Sequence, residues 1–137
     1  MTKEKITRPG DIVAIARAAY EAYVAKDLAA IERLIAGNFH FTSPLDNRID
    51  RATYFARCWP NSERIKGFNF INLVANCDRV FVTYEGHSAN GRSFRNTEIV
   101  TVLDDQVVEV RSILVGQFRT KLNPAVSYKT RGLRRNR

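Results

Sequence analysis

Residues 93–115 read SFRNTEIVTVLDDQVVEVRSILV, two runs of alternating character joined at Asp104-Asp105. Successive side chains of an extended chain point to opposite faces, so such a run fits a strand with one covered side. In the first run Phe94, Asn96, Glu98, Val100 and Val102 share one face, and Arg95, Thr97, Ile99, Thr101 and Leu103 share the other. Val107 to Val115 then returns as a second strand. Working backwards, Arg79 to Ser88 and Phe68 to Ala75 have the same richness in Val, Ile, Phe, Tyr and Thr. Ala89-Asn90-Gly91 and Asn76-Cys77-Asp78 supply the turn chemistry between them. Four consecutive antiparallel strands are expected.

The first half has a different period. After Pro9-Gly10-Asp11, Ile12, Ile15, Ala16, Ala19, Tyr20, Tyr23 and Val24 recur at three- and four-residue spacing, which predicts a helix with Asp11 as its N-cap. Asp27 is expected to cap a second helix with Leu28, Ile31, Leu34 and Ile35 inward, ending at Gly37. Phe39 to Thr42 reads as a short strand broken by Ser43-Pro44, with Asp46-Asn47 continuing the turn. Asp50 is placed to cap a third helix, Arg51 to Cys58, which Pro60 stops near Trp59. Helices first and a meander afterwards define an α+β fold with a strongly curved antiparallel sheet packed on N-terminal helices.

The 137 residues fit one domain, expected over 1–116, followed by a basic tail over 117–137. No apolar run approaches the length of a membrane span, and the charged start Met1-Thr2-Lys3-Glu4-Lys5 lacks the apolar stretch of a secretory signal, so a cytoplasmic location is expected. Cys58 and Cys77 cannot build a disulfide framework or a four-ligand metal site, and read as free thiols. The net charge of +8 is uneven. The tail carries seven basic residues and no acid, leaving 15 basic and 14 acidic residues in the body. A near-neutral body argues against a nucleic-acid face, and the tail from Lys129 to Arg137 is expected to add only salt-sensitive affinity for polyanions.

The order helix, helix, short strand, helix, four long strands resembles the SnoaL-like branch of the nuclear transport factor 2-like superfamily. The stretches Phe41-Thr42-Ser43-Pro44-Leu45-Asp46, Cys58-Trp59-Pro60, Phe94-Arg95-Asn96-Thr97-Glu98 and Val107-Val108-Glu109-Val110 carry the likeness, over about residues 9–116. The resemblance implies a cone whose sheet wraps the first helix and leaves a deep, mostly apolar pocket at its open end. Relatives include polyketide cyclases, ketosteroid isomerases, dehydratases, epoxide hydrolases and proteins that only bind, so the fold transfers no reaction. Where relatives end on Tyr-Phe-Gly this chain has Leu114-Val115-Gly116, without the phenol.

A carboxyl group inside an apolar cone is desolvated, which raises its pKa and suits it to proton transfer beside a carbonyl. Glu98 is the candidate, sharing its face with Asn96 and Val100; its alternative is a structural acid paired with Arg95 or Arg111. Tyr84 is expected to enter the pocket and polarise a carbonyl, or else to pack with its hydroxyl satisfied. His40 is the candidate base, oriented by Asp46, or a rim residue. His87 is expected to be solvated beside the Asn90-Gly91 turn. Tyr20, Tyr23, Phe55 and Trp59 form the expected pocket wall, since the first and third helices flank the opening in the resembled family. No carboxylate or His pair at helical spacing marks a metal site and no glycine-rich loop cradles phosphate, so no cofactor is implied.

The reading is a cone that holds a small apolar molecule, with cofactor-free acid–base chemistry of the cyclase, isomerase or dehydratase type. Its alternative is a non-catalytic dimeric module for ligand binding or protein interaction. Ile99, Leu103, Ile113 and Val115 give the outer sheet face enough apolar surface to expect a homodimer through that face.

Overall fold

The structure, a computed structural model, describes residues 9–119. Three helices, α1 (Pro9–Ala25), α2 (Leu28–Leu34) and α3 (Arg51–Arg57), precede a 3-10 turn at Trp59–Arg64. The strands are β1 (Ile35–Thr42), β2 (Ile49–Asp50), β3 (Ile65–Asn76), β4 (Arg79–Ser88), β5 (Arg92–Leu103) and β6 (Gln106–Arg119). They form one sheet in the order β2-β1-β6-β5-β4-β3. The fold is α+β, with the N-terminal helices on a curved, mostly antiparallel sheet, and β3 to β6 are the expected meander.

Several boundaries differ from the sequence expectation. Helix α1 begins at Pro9, so Asp11 lies inside its first turn rather than capping it. There its carboxylate still opposes the positive end of the helix dipole. Helix α2 stops at Leu34; the Ile35 N–H bonds the Ile31 carbonyl while its backbone is already extended, and β1 starts at once. Gly37 is therefore a strand residue. Pairing explains the change: β1 runs parallel to β6, with Ile35 opposite Val107 and Phe41 opposite Val110, so the ladder supplies bonds that a further helical turn would lack. The sheet is thus mixed rather than wholly antiparallel. The third helix is as expected, its N-cap Asp50 accepting the Thr53 N–H at 2.9 Å.

The turn between β5 and β6 places both Asp104 (φ 52°) and Asp105 (φ 65°) in the left-handed region. That is the backbone of a two-residue turn whose twist matches its strands, and Asp tolerates it better than most residues. Register shifts occur in β3 between Phe70 and Asn72, and in the β5–β6 pair at Arg95/Asn96 and Thr101/Val102. Each extra residue bends its strand and adds twist, which curls the sheet around α1.

The core joins Ile12 and Ala16 of α1 to Ile31, Ile35, Phe39, Val80, Val82, Val100, Val102 and Val107. Each fully buried aliphatic or aromatic side chain contributes roughly 1.5–3 kcal/mol. The opposite sheet face shows Val74, Phe81, Ile99 and Ile113, of which Val74 (55% exposed) and Ile113 (52%) are largely open, as is Leu103. Val115, expected on that face, has a side chain outside the described residues. No helix among the described residues is long and apolar enough to cross a membrane. Strand β6 runs to Arg119, past the expected domain limit at 116; the rest of the basic tail, Lys129 to Arg137 included, lies outside the described residues.

Gly86 lies opposite Phe94, and a Cβ on Gly86 would collide with the Phe94 ring. The missing side chain is what lets that ring lie over the sheet. Gly86→Ala should displace the ring and lower stability by about 1–2 kcal/mol, seen as a fall in urea midpoint with an unchanged slope. An unaltered midpoint would show that the ring is not confined there.

Candidate functional site

A cavity of about 530 Å³ opens between the helices and the concave sheet face. Its walls are largely apolar and aromatic, with Phe39 and Phe41 from β1, Phe68 from β3 and Phe94 from β5. Leu45, 90% exposed on the loop after β1, also contributes to the lining. That loop is tied by Ser43, whose N–H donates to the Asp46 carbonyl at 2.7 Å and whose Oγ accepts the Leu45 and Asp46 N–H groups.

Glu98 is the cavity's buried carboxyl group, 9% exposed. Alternation along β5 places it inside with Val100 and Val102, as expected. The Tyr20 hydroxyl donates to its Oε1 at 2.5 Å, and the Tyr84 hydroxyl to its Oε2 at 3.3 Å. Asn96 Nδ2 lies 3.2 Å from the same Oε2 and donates to Ser112 Oγ at 2.7 Å. Arg95 bonds Glu85 at 2.6 Å and Arg111 lies 3.5 Å from Glu109, so the cations proposed as its structural partners are engaged elsewhere. Burial therefore raises the Glu98 pKa, while the donors Tyr20, Ser112 and Tyr84 oppose the rise without overcoming it. Tyr20 and Tyr84 are pushed upward in turn, chiefly by burial and then by the charge of Glu98, so both remain protonated donors.

Of the candidate residues, Glu98, Tyr84, Tyr20, Tyr23 and Val100 line the cavity. Asn96, only 4% exposed, stands behind that lining and reaches the site through its bond to Glu98. His40 is not brought to the site. It sits between the inward Phe39 and Phe41, so the strand period turns it to the other face, opposite Asp50 of β2. Asp46 does not orient it either, since that carboxylate faces Arg57 at 2.7 Å. Phe55 and Trp59 form a second aromatic layer rather than the wall. Trp59 packs edge-on against Tyr23 at 5.6 Å, and Arg51 stacks on Phe55 at 5.0 Å. His87 is half-buried, its Nδ1 3.1 Å from Ser93 Oγ, rather than solvated.

Among the wall residues that the sequence reading passed over are Phe39, Phe41, Phe68, Phe94 and, on the third helix, Tyr54. Tyr54 and Phe55 are neighbours on α3, about 100° apart around the helix, so only one of them can face the cavity. Phe55 pairs by four-residue spacing with Trp59, and Tyr54 with Cys58; the structure turns the second pair inward. The signal was present in that choice of faces.

A family model describing a SnoaL-like domain matches residues 16–110. The chain belongs to the SnoaL-like domain family. Among solved structures, a candidate ketosteroid isomerase from Kribbella flavida is similar with a TM-score of 0.69 at 15% identity, over 90% of this chain and 91% of that one. An epoxide hydrolase from M. tuberculosis (TM-score 0.66, 14% identity, 77% and 84% of the two chains) is also similar. So is a candidate polyketide cyclase from Xanthomonas campestris (TM-score 0.63, 19% identity, 78% and 92%). At such identities the likeness concerns the fold. No curated protein sequence matches the chain.

In this SnoaL-like domain no three His, Cys, Asp or Glu side chains gather as a metal set among the described residues. Proton transfer is the chemistry that a raised carboxyl group beside two phenols can perform. The raised pKa also has a stability consequence. Folding binds the Glu98 proton more tightly than the unfolded chain does, so the charged form is disfavoured above the folded pKa and the penalty disappears below the unfolded value. Glu98→Gln should therefore melt at a higher temperature than the wild-type protein at pH 7, with the difference shrinking as pH falls toward about 4. A variant that melts lower at pH 7 would show the carboxylate held as a structural anion.

Proposed function

We propose that the cavity binds a small, mostly apolar molecule and that Glu98 moves a proton to or from it without a cofactor. The observation that carries this reading is a buried carboxyl group with a raised pKa, lining a cavity of mainly aromatic walls. In its ionised form Glu98 takes a proton from a carbon next to a carbonyl, and the electron pair moves onto the carbonyl oxygen. The proton that Glu98 then holds goes to another carbon to isomerise the molecule, to a departing β-hydroxyl to release water, or to the alkoxide oxygen formed when the enolate attacks a second carbonyl and closes a ring. Tyr20 and Tyr84 keep the carboxyl group oriented through these steps. The names of the structural relatives include isomerase, cyclase and hydrolase; a shared fold does not choose among them.

A second reading is a non-catalytic binding domain. It is favoured by the hydrogen bonds that Glu98 already accepts from Tyr20 and Tyr84, which a purely structural polar group would also need. One experiment separates the two. Exchange of the α-protons of 2-tetralone in D2O, followed by proton NMR, should be accelerated by the wild-type protein, and the rate should rise with pH through the Glu98 titration. Glu98→Gln should lose at least tenfold of the accelerated rate while 2-tetralone still binds. Binding without any Glu98-dependent exchange would favour the binding domain.

We also propose that a second copy of the chain covers the outer sheet face. Val74, Phe81 and Ile99 lie in one row across β3, β4 and β5. A second copy related by a two-fold axis presents the same row, so the two apolar strips can cover each other. Sedimentation at micromolar concentration should give twice 15.6 kDa, with a single-chain species as the contrary result.

A further inference from the structure

Four phenols line the cavity: Tyr20, Tyr23, Tyr54 and Tyr84. Three of their hydroxyls are committed. Tyr20 and Tyr84 donate to Glu98, and Tyr23 donates to the Cys58 carbonyl at 3.2 Å. The Tyr54 hydroxyl has no hydrogen-bond partner among the described residues. Its residue is half-buried and lines the cavity. A donor in a low-dielectric space is normally satisfied, so the vacant bond calls for an acceptor.

We propose that the Tyr54 hydroxyl is the donor that anchors the carbonyl, or an equivalent oxygen acceptor, of the cavity's ligand. Its ring is fixed by edge-on packing on Phe39 at 5.1 Å and Phe55 at 5.6 Å, and by a tilted contact with Phe41 at 5.5 Å. A donor held this way loses little conformational freedom when an acceptor arrives. Burial, and then the neighbouring Tyr23 and Glu98, raise the Tyr54 pKa, so it stays protonated. Of the other polar lining groups, Asn61, Arg64 and Ser88 gather where the 3-10 turn meets the end of β4, through the bond from the Ala89 N–H to the Arg64 carbonyl, while Ser43 and Asp46 lie on the loop after β1, where Ser43 ties the loop backbone and Asp46 pairs with Arg57. Tyr54 instead enters from α3, which packs on β1, while Glu98 enters from β5. A ligand oxygen on Tyr54 thus leaves the apolar body of the molecule in the space that Glu98 also faces. The inference deepens the proton-transfer reading, naming its ligand class as apolar molecules with an oxygen acceptor.

The test compares 2-tetralone with tetralin, the same skeleton without the oxygen, on the wild-type protein and Tyr54→Phe. Phenylalanine keeps the ring contacts, so the tetralin arm reports any general damage to the cavity. Removing the phenol should weaken 2-tetralone about 5- to 10-fold in calorimetric titration and leave tetralin unchanged. The carbonyl stretch of bound 2-tetralone should lie lower in the wild-type protein than in Tyr54→Phe. Equal losses for both molecules, an unshifted stretch, or no wild-type binding of 2-tetralone would overturn the proposal. The two readings fail separately. Carbonyl discrimination by Tyr54 without Glu98-dependent exchange leaves the anchor and removes the proton transfer; exchange unaffected by Tyr54→Phe, without carbonyl discrimination, does the reverse.

Discussion

The hydrogen bond from the Tyr20 hydroxyl to Glu98, 2.5 Å long and spanning 78 residues of sequence, is the contact on which the interior depends. A carboxyl group removed from water is costly unless donors replace the solvent, and Glu98 finds them on a helix and on strands of the sheet. The same bond fixes how α1 crosses the concave face. Tyr20 lies edge-on to Phe68 and Phe70 at 5.5 Å each, and 5.4 Å from Tyr84. These aromatic contacts hold the helix against β3 and β4, and the space left beside them is the cavity.

Strand alternation made much of this legible. The run from Phe94 to Val102 put Glu98, Asn96 and Val100 on one face, and the register holds because β5 pairs without interruption with β4 from Arg79 to His87. A one-residue slip would have reversed every assignment. The same rule, applied to β1, would have excluded His40, since Phe39 and Phe41 on either side claim the inner face. The parallel pairing of β1 with β6 was beyond local pattern, because it joins segments about 70 residues apart. Helix α2 ended early for the same reason: a distant strand competed for Ile35, and no nearby residue announces that.

Helical faces were harder to read than strand faces. Seven residues of α3 carry both Tyr54 and Phe55, and the decision between them rests on how α3 docks on β1. Trp59 and Phe55 were expected in the wall because the third helix flanks the opening in the resembled family, yet they support Tyr23 and Tyr54 from behind. The cavity that results carries a carboxyl group already supplied with donors and, from another element, the Tyr54 phenol. On the proposal made above, that pair would give a bound molecule an orientation, which an apolar cavity alone would not.

The central claim is that Glu98 is a desolvated carboxyl group whose burial outweighs its hydrogen bonds. Carbon NMR of protein labelled at the glutamate carboxyl carbon, titrated with pH and assigned by the resonance missing in Glu98→Gln, measures it directly. The account predicts a midpoint clearly above the roughly 4.3 of a free Glu side chain. A midpoint at or below that value would mean that the donors win, that Glu98 is a structural anion, and that the cavity lacks its proposed base.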